Sequence, residues 1–188
     1  MRNLTHRHIL SVILLLSAVV RFWGLDFGLP NERCRPDESM IIIVAMGMGN
    51  GDLNPHFFNY PTLFIYLCFA GFVAYYAFGT VFGFFHSAQD FALAFFLDPS
   101  VFYLISRTLS AAAGIATVYL VYLIGRKLQD ERTGLLASLL LALAPLHVRD
   151  SHFGVTDVTM TLFIVSAVYF SLKRLAEKKW RFSLLAAA

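Results

Sequence analysis

An all-α, polytopic membrane helix bundle is the fold class this sequence predicts, on three observations. Hydrophobic residues make up 58% of the 188 and charged residues only 14%, against about half and about a quarter in a soluble domain. With a mean hydropathy of +0.66, that skew excludes a soluble globular enzyme, a disordered chain and a nucleic-acid module. Apolar runs of helix length recur between polar loops. Threading those runs through a bilayer then separates the basic residues from the acidic ones, so the net charge of +3 reads as a topological signal rather than as a nucleic-acid surface.

The first span covers 9–29, opening on an uninterrupted apolar or small run over 9–20 after a basic start (Arg2, His6, Arg7, His8). No small-x-small site follows the run, so it reads as an uncleaved helix rather than a signal peptide; Pro30 is expected to stop it. A polar loop over 31–61 carries Arg33-Cys34-Arg35-Pro36-Asp37-Glu38, a short helix over 40–48 and a turn-rich stretch over 50–55. Residues 62–85 contain no charge. Further spans are expected at 101–124, 135–148 and 158–172, the last two only about 21–23 Å long at 1.5 Å per residue. Short helices there would draw the polar loop 149–157 toward the membrane surface, within reach of a lipid head group. The chain ends on basic residues (Lys173, Arg174, Lys178, Lys179, Arg181), and 181–188 reads as the opening turns of another helix, as in a truncated chain. The two cysteines, Cys34 and Cys68, make no disulfide framework; Cys68 reads as a packing residue.

Parity decides what hydropathy leaves open. If 62–98 forms a hairpin in the outer leaflet, with the N-terminus inside, ten Lys and Arg and three acids lie inside (+7), and five basic residues and nine acids lie outside (−4). Counting 62–85 as a crossing puts the Arg126-Lys127 loop and the basic end outside, against the positive-inside rule. One transmembrane domain over 1–188 is therefore expected, with four crossings, an outer-leaflet hairpin and a cytoplasmic N-terminus in a multi-pass cell membrane protein of prokaryotic plasma-membrane type.

On that outer face stand the groups able to do chemistry. Asp37 and Glu38 follow a proline and precede an apolar helix. A carboxylate at a membrane surface can act as a general base; partial desolvation raises its proton affinity, and a neighbouring Arg35 opposes this. Asp157 stands where the last helix begins, as a free carboxylate if Thr156 caps the helix and as its cap otherwise. Arg149 and His152 offer charge-assisted hydrogen bonds to a phosphate, or simply snorkel to the interface. Arg107 lies at membrane depth, where an ionisable group is a functional candidate unless an outer acid pairs with it. Asp37, Glu38, His56, His152 and Asp157 hold oxygen and nitrogen donors, so a divalent metal stays open, yet there is no helical His pair or Cys cluster; His56 reads as a loop hydrogen-bonder. No phosphate-binding glycine loop or serine nucleophile elbow occurs, and no other cofactor is called for. Ser106, Ser110 and Gly114 form a small-residue row, read as close helix packing.

The ordered set of these pieces resembles the N-terminal part of polyprenol-phosphate-sugar-dependent glycosyltransferases, the family-39 group allied to protein O-mannosyltransferases and aminoarabinose transferases. The resemblance rests on Arg35-Pro36-Asp37-Glu38, on 51–63 (Gly51-Asp52-Leu53-Asn54-Pro55-His56 and onward through Tyr60-Pro61), on Arg107-Thr108-Leu109-Ser110, on 122–128, and on 144–152 with Thr156-Asp157. It implies a C-type glycosyltransferase fold whose first outer loop bears the acidic pair. It further implies Asp37 as acceptor-activating base with Glu38 adjacent, Asp157 as a positioning or second catalytic carboxylate, and Arg149, His152 and Arg107 on the donor phosphate. The partners it implies are a polyprenyl-phosphate sugar and membrane lipid, with the acceptor unassigned. Two other readings carry the same residues: a transporter or flippase-like bundle with charges lining a pathway, and a non-catalytic fragment. Asp37, Asp150 and Asp157 sit in loops on one side rather than mid-helix, which favours the enzyme.

Overall fold

The computed structural model describes residues 2–31, 35–177 and 185. Cys34, the basic residues 178–181 and the helix expected at 181–188 lie outside the described residues. Among the described residues eight α-helices follow in order: α1 (Arg2–Phe22), α2 (Pro36–Gly47), α3 (Thr62–Val81), α4 (Ala88–Leu97), α5 (Ser100–Leu128), α6 (Glu131–Ala142), α7 (Pro145–Asp150) and α8 (Thr156–Glu177). No strand occurs among the described residues. The all-α bundle read from the sequence is the fold.

Helix bounds depart from expectation at three places, each for a local reason. α1 ends at Phe22 rather than near Pro30. Gly24 and Gly28, at φ of +68° and +74°, turn the chain through left-handed geometry that glycine adopts freely, and 23–31 becomes a series of tight turns. The span expected at 135–148 is broken into α6 and α7. Pro145 opens α7 and holds Ala144 at ψ 115°, because a residue before proline is pushed out of helical geometry. α6 alone, 12 residues, reaches only about 18 Å. The last span is longer than expected: α8 has 22 residues, about 33 Å. By length and composition α3, α5 and the segment Thr156–Ala176 can each cross a membrane.

The chain divides into two compact units. The first holds the described residues of Met1–Trp23, Ala111–His152 and Asp157–Ala188. Its core is Ile13, Val118, Tyr122, Leu135 and Ala142, with α1 packed on α6 and α7. Gly125 and Gly134 let α5 and α6 meet backbone to backbone; a Cβ on Gly125 would lie 2.8 Å from the Gly134 Cα. Asp130 caps α6 by accepting from the Thr133 amide at 2.8 Å.

The second unit holds Gly24–Ser110 and Phe153–Thr156 among the described residues. Ile41, Ile42, Ala45, Phe64, Ile65, Cys68 and Phe72 form its core with Phe102 and Tyr103. Over 62–98, where the hairpin is expected, the chain forms α3 and α4, joined by a turn at 82–87. Ser87 caps α4 through the Asp90 amide, and the Asp90 carboxylate accepts from the His86 amide. Phe85 meets Tyr75 and Phe91, and Phe102 meets Tyr75 and Phe91, edge to face at centroid distances of 5.1–5.9 Å, a geometry aromatic quadrupoles favour.

Candidate active site

Helix α2 sorts its two acids. Pro36 occupies the first turn, where its missing N–H costs nothing, and the helix N-terminus favours carboxylates. From there the helical period decides burial. Glu38, Ile41, Ile42 and Ala45 recur at i, i+3, i+4 and i+7, one face of the helix, and all four are buried. Asp37 lies off that face, with 52% of its side chain exposed.

Glu38 is fully buried and forms a two-pronged ion pair with Arg107, which is also fully buried. Arg107 Nε donates to Glu38 Oε1 and Nη2 to Oε2, each at 2.9 Å. The remaining guanidinium nitrogen donates to the carbonyls of Leu25 (2.8 Å) and Phe27 (2.9 Å), which the glycine turns after α1 direct toward it. The Phe27 ring lies 4.5 Å beneath the guanidinium. Glu38 Oε1 accepts a third bond, from the Gly154 amide at 2.6 Å. Position 154 must be glycine, since a Cβ there would run into Ser106; the Ser110 hydroxyl donates to the Val155 carbonyl at 3.3 Å. Two members of the small-residue row therefore seat the chain just before α8.

Asp37 is placed differently. Tyr60 donates its hydroxyl to Asp37 Oδ1 at 3.3 Å, and Arg35 Nε stands 3.8 Å from Oδ2, beyond hydrogen-bond reach. The Arg35 guanidinium rests over the Phe153 ring at 4.4 Å. The carboxylate thus keeps acceptor capacity and open approach.

The other predicted residues lie in the first unit. Asp157 is exposed in the first turn of α8, and its carboxylate makes no hydrogen bond among the described residues. Arg149 donates from Nε and Nη2 to Asp150 Oδ1 at 2.9 and 2.8 Å, with 61% of its side chain exposed. His152 directs Nδ1 at the Val148 carbonyl (2.8 Å) and Nε2 at the Trp23 carbonyl (3.1 Å). Both its nitrogens face backbone. Among the described residues no group of three or more His, Cys, Asp or Glu is arranged to hold a metal ion.

Sequence reasoning missed Arg21, which it counted only as an outer charge. Arg21 is fully buried and contacts no carboxylate among the described residues. Its guanidinium donates to Ser151 Oγ (3.2 Å), Ser17 Oγ (2.8 Å), the carbonyls of Ser17, Ala142 and Leu141, and His147 Nδ1 (2.8 Å). Guanidinium only donates, so His147 Nδ1 is the acceptor. Gly114, the third member of the small-residue row, makes the space: a Cβ there would stand 2.9 Å from Arg21 Nε. The available signal was the apolar run itself, with Ile13, Ser17 and Arg21 four residues apart on one face.

The model of the dolichyl-phosphate-mannose-protein mannosyltransferase family matches residues 105–188. This stretch includes Arg107, the small-residue row, the loop 149–157 and α8. The match fits the family-39 resemblance read from the sequence and supports, in general terms, a membrane glycosyltransferase of the polyprenyl-phosphate-sugar type. No curated protein and no solved structure matches the chain.

Proposed function

We propose that the protein takes part in transfer of a sugar from a polyprenyl-phosphate donor to an acceptor hydroxyl at the outer face of the membrane, with Asp37 as the base. The observation that carries this reading is the division of labour on α2. Glu38 spends its carboxylate on Arg107 and the Gly154 amide, whereas Asp37, one residue earlier, remains exposed with only weak partners. A base needs a reachable lone pair, and Asp37 has one. Its Tyr60 contact orients the carboxylate without saturating it.

In this reading Glu38 and Arg107 are positioning residues. Their ion pair ties α2 to α5 and to the turns after α1, and so fixes where Asp37 stands. Arg149, with its guanidinium exposed, suits the donor phosphate through charge-assisted hydrogen bonds. His152 serves by holding the loop 149–157 through its two backbone contacts, and Asp157 remains as an exposed second carboxylate. The reaction is an inverting displacement: the acceptor oxygen attacks the anomeric carbon, its proton passes to Asp37, and the lipid phosphate leaves with the bonding pair. An apolar cavity of about 270 Å³ in the second unit, lined in part by Met46, Phe69, Phe72, Tyr76 and Phe91, suits an isoprenoid segment. A transporter is less well supported, because the buried Glu38–Arg107 pair is saturated by protein groups rather than facing a pathway.

The topology proposed with this function keeps the N-terminus inside and the α3–α4 pair in the outer leaflet of a prokaryotic plasma membrane. The +7 and −4 charge split supports it; α3 by its length alone is compatible with a crossing. A cysteine at exposed Gln129 is expected to resist impermeant maleimide applied from outside intact cells, and labelling there would refute the arrangement. For the chemistry, Asp37→Asn in the full-length protein is expected to lower sugar transfer by about 10²–10⁴-fold, the usual contribution of a positioned base. Unchanged transfer removes Asp37 from the mechanism.

A further inference from the structure

Outside the site just described, one pair of titratable side chains is held in a fixed arrangement against an open cavity. It lies in the turn-rich loop after α2, entirely within the second unit. His56 Nε2 and Asp52 Oδ2 are 2.8 Å apart. A carboxylate accepts and does not donate, so Nε2 carries the hydrogen; in the neutral tautomer that this contact selects, Nδ1 is a lone-pair acceptor. Nδ1 has no partner among the described residues.

The loop is built to present this pair. Asp52 Oδ1 accepts from the Asn54 amide at 2.9 Å, and the Asn54 side chain accepts from the His56 amide at 3.1 Å. His56 itself sits at φ +48°, a left-handed conformation that a side-chain-bearing residue keeps only when its surroundings impose it. Tyr66 of α3 pins the loop by donating to the Leu53 carbonyl at 3.0 Å. The Asn54 amide and His56 hold the Asp52 carboxyl below the usual carboxylate range, so it stays ionised through neutral pH. Beside the pair opens a cavity of about 290 Å³, lined by Asn50, Asp52, Asn54 and His56 with Met48 and Pro55 among its apolar wall. That size is at the lower end for small-molecule sites and suits one sugar ring or a polyol. The same loop ends in Tyr60, whose hydroxyl touches Asp37.

We propose that Asp52 and His56 form the polar wall of a subsite that binds a neutral, hydroxyl-bearing acceptor. His56 Nδ1 accepts from one acceptor hydroxyl, Asn50 serves another, and Asp52 fixes the imidazole tautomer. This rests on the glycosyltransferase reading for the word acceptor; the binding itself does not depend on it. The ionised Asp52 carboxylate in the wall repels an anionic ligand, and an imidazole acceptor beside Asn50 suits the hydroxyls of a neutral polyol.

The test reads binding directly. The full-length protein, carrying histidine labelled with ¹³C at Cε1, is placed in lipid nanodiscs and titrated with methyl glucoside as probe. The His56 signal is identified by its loss in His56→Gln. It is expected to shift saturably, with apparent affinity about tenfold weaker in Asp52→Asn, the scale of one hydrogen bond to a fixed partner. Asp37→Asn is expected to leave the titration unchanged while lowering transfer, so the two readings fail separately. Absence of a saturable shift, an unaltered affinity in Asp52→Asn, or saturable broadening by Mn²⁺ in place of a glucoside shift would each overturn the subsite.

Discussion

Among the described residues each unit of the molecule buries one arginine completely, and the two are satisfied in opposite ways. Arg107 meets a full carboxylate, Glu38, with two carbonyls and an aromatic ring completing its surroundings. Arg21 meets hydroxyls, an imidazole nitrogen and the last carbonyls of α6, where the helix dipole supplies partial negative charge. A buried ion pair is costly to break from one side, because the surviving partner is left as an uncompensated charge. A buried cation held by neutral dipoles leaves no ion behind when it is removed. The chain has invested its strong electrostatic coupling next to Asp37, and uses Arg21 to fasten the α6–α7 break and Ser151.

Direct substitution separates the two cases. Arg107→Met is expected to destabilise the second unit by about 3–5 kcal/mol, since Glu38 remains buried and charged. Arg21→Met is expected to cost about 1–3 kcal/mol, the scale of carbonyls left without a donor. Thermal unfolding of both variants in the same detergent checks the order; equal losses would break the comparison. An exposed carboxylate marks the small end. The Thr133 amide holds the Asp130 carboxyl below its ordinary range, so the α6 cap is fully in place above the unfolded-chain value and is lost as pH falls through the lowered one. Hydrogen exchange at the Thr133 amide is expected to quicken only toward the acid end of that window, with little change in global stability.

Much of this arrangement was legible in advance, and the rest had physical reasons for staying hidden. Composition and apolar runs disclosed the all-α membrane fold because backbone satisfaction in lipid leaves few alternatives. The acidic pair was found by type and position, but its division was not. The i, i+3, i+4, i+7 spacing of Glu38 with Ile41, Ile42 and Ala45 carried it, and reading that face would have paired Glu38 with a buried cation. The end of α1 and the break in α6 turned on single residues, Gly24 and Pro145, inside otherwise continuous apolar sequence. Arg21 stayed hidden because its partners are backbone carbonyls, which leave no signature in side-chain identity. Likewise the small-residue row disclosed close packing, while what it admits (Gly154 and the Arg21 guanidinium) depends on contacts far apart in sequence.

The central claim is that adjacent carboxylates on α2 do different work, and one paired measurement tests it. Sugar transfer from a polyprenyl-phosphate donor and thermal stability are recorded side by side for Asp37→Asn and Glu38→Gln in the full-length protein. Asp37→Asn is expected to lose transfer by about 10²–10⁴-fold with stability within about 0.5 kcal/mol of the parent, as for an exposed side chain. Glu38→Gln is expected to lose stability first. The reverse pattern, a stable and inactive Glu38→Gln beside an active Asp37→Asn, would contradict the account.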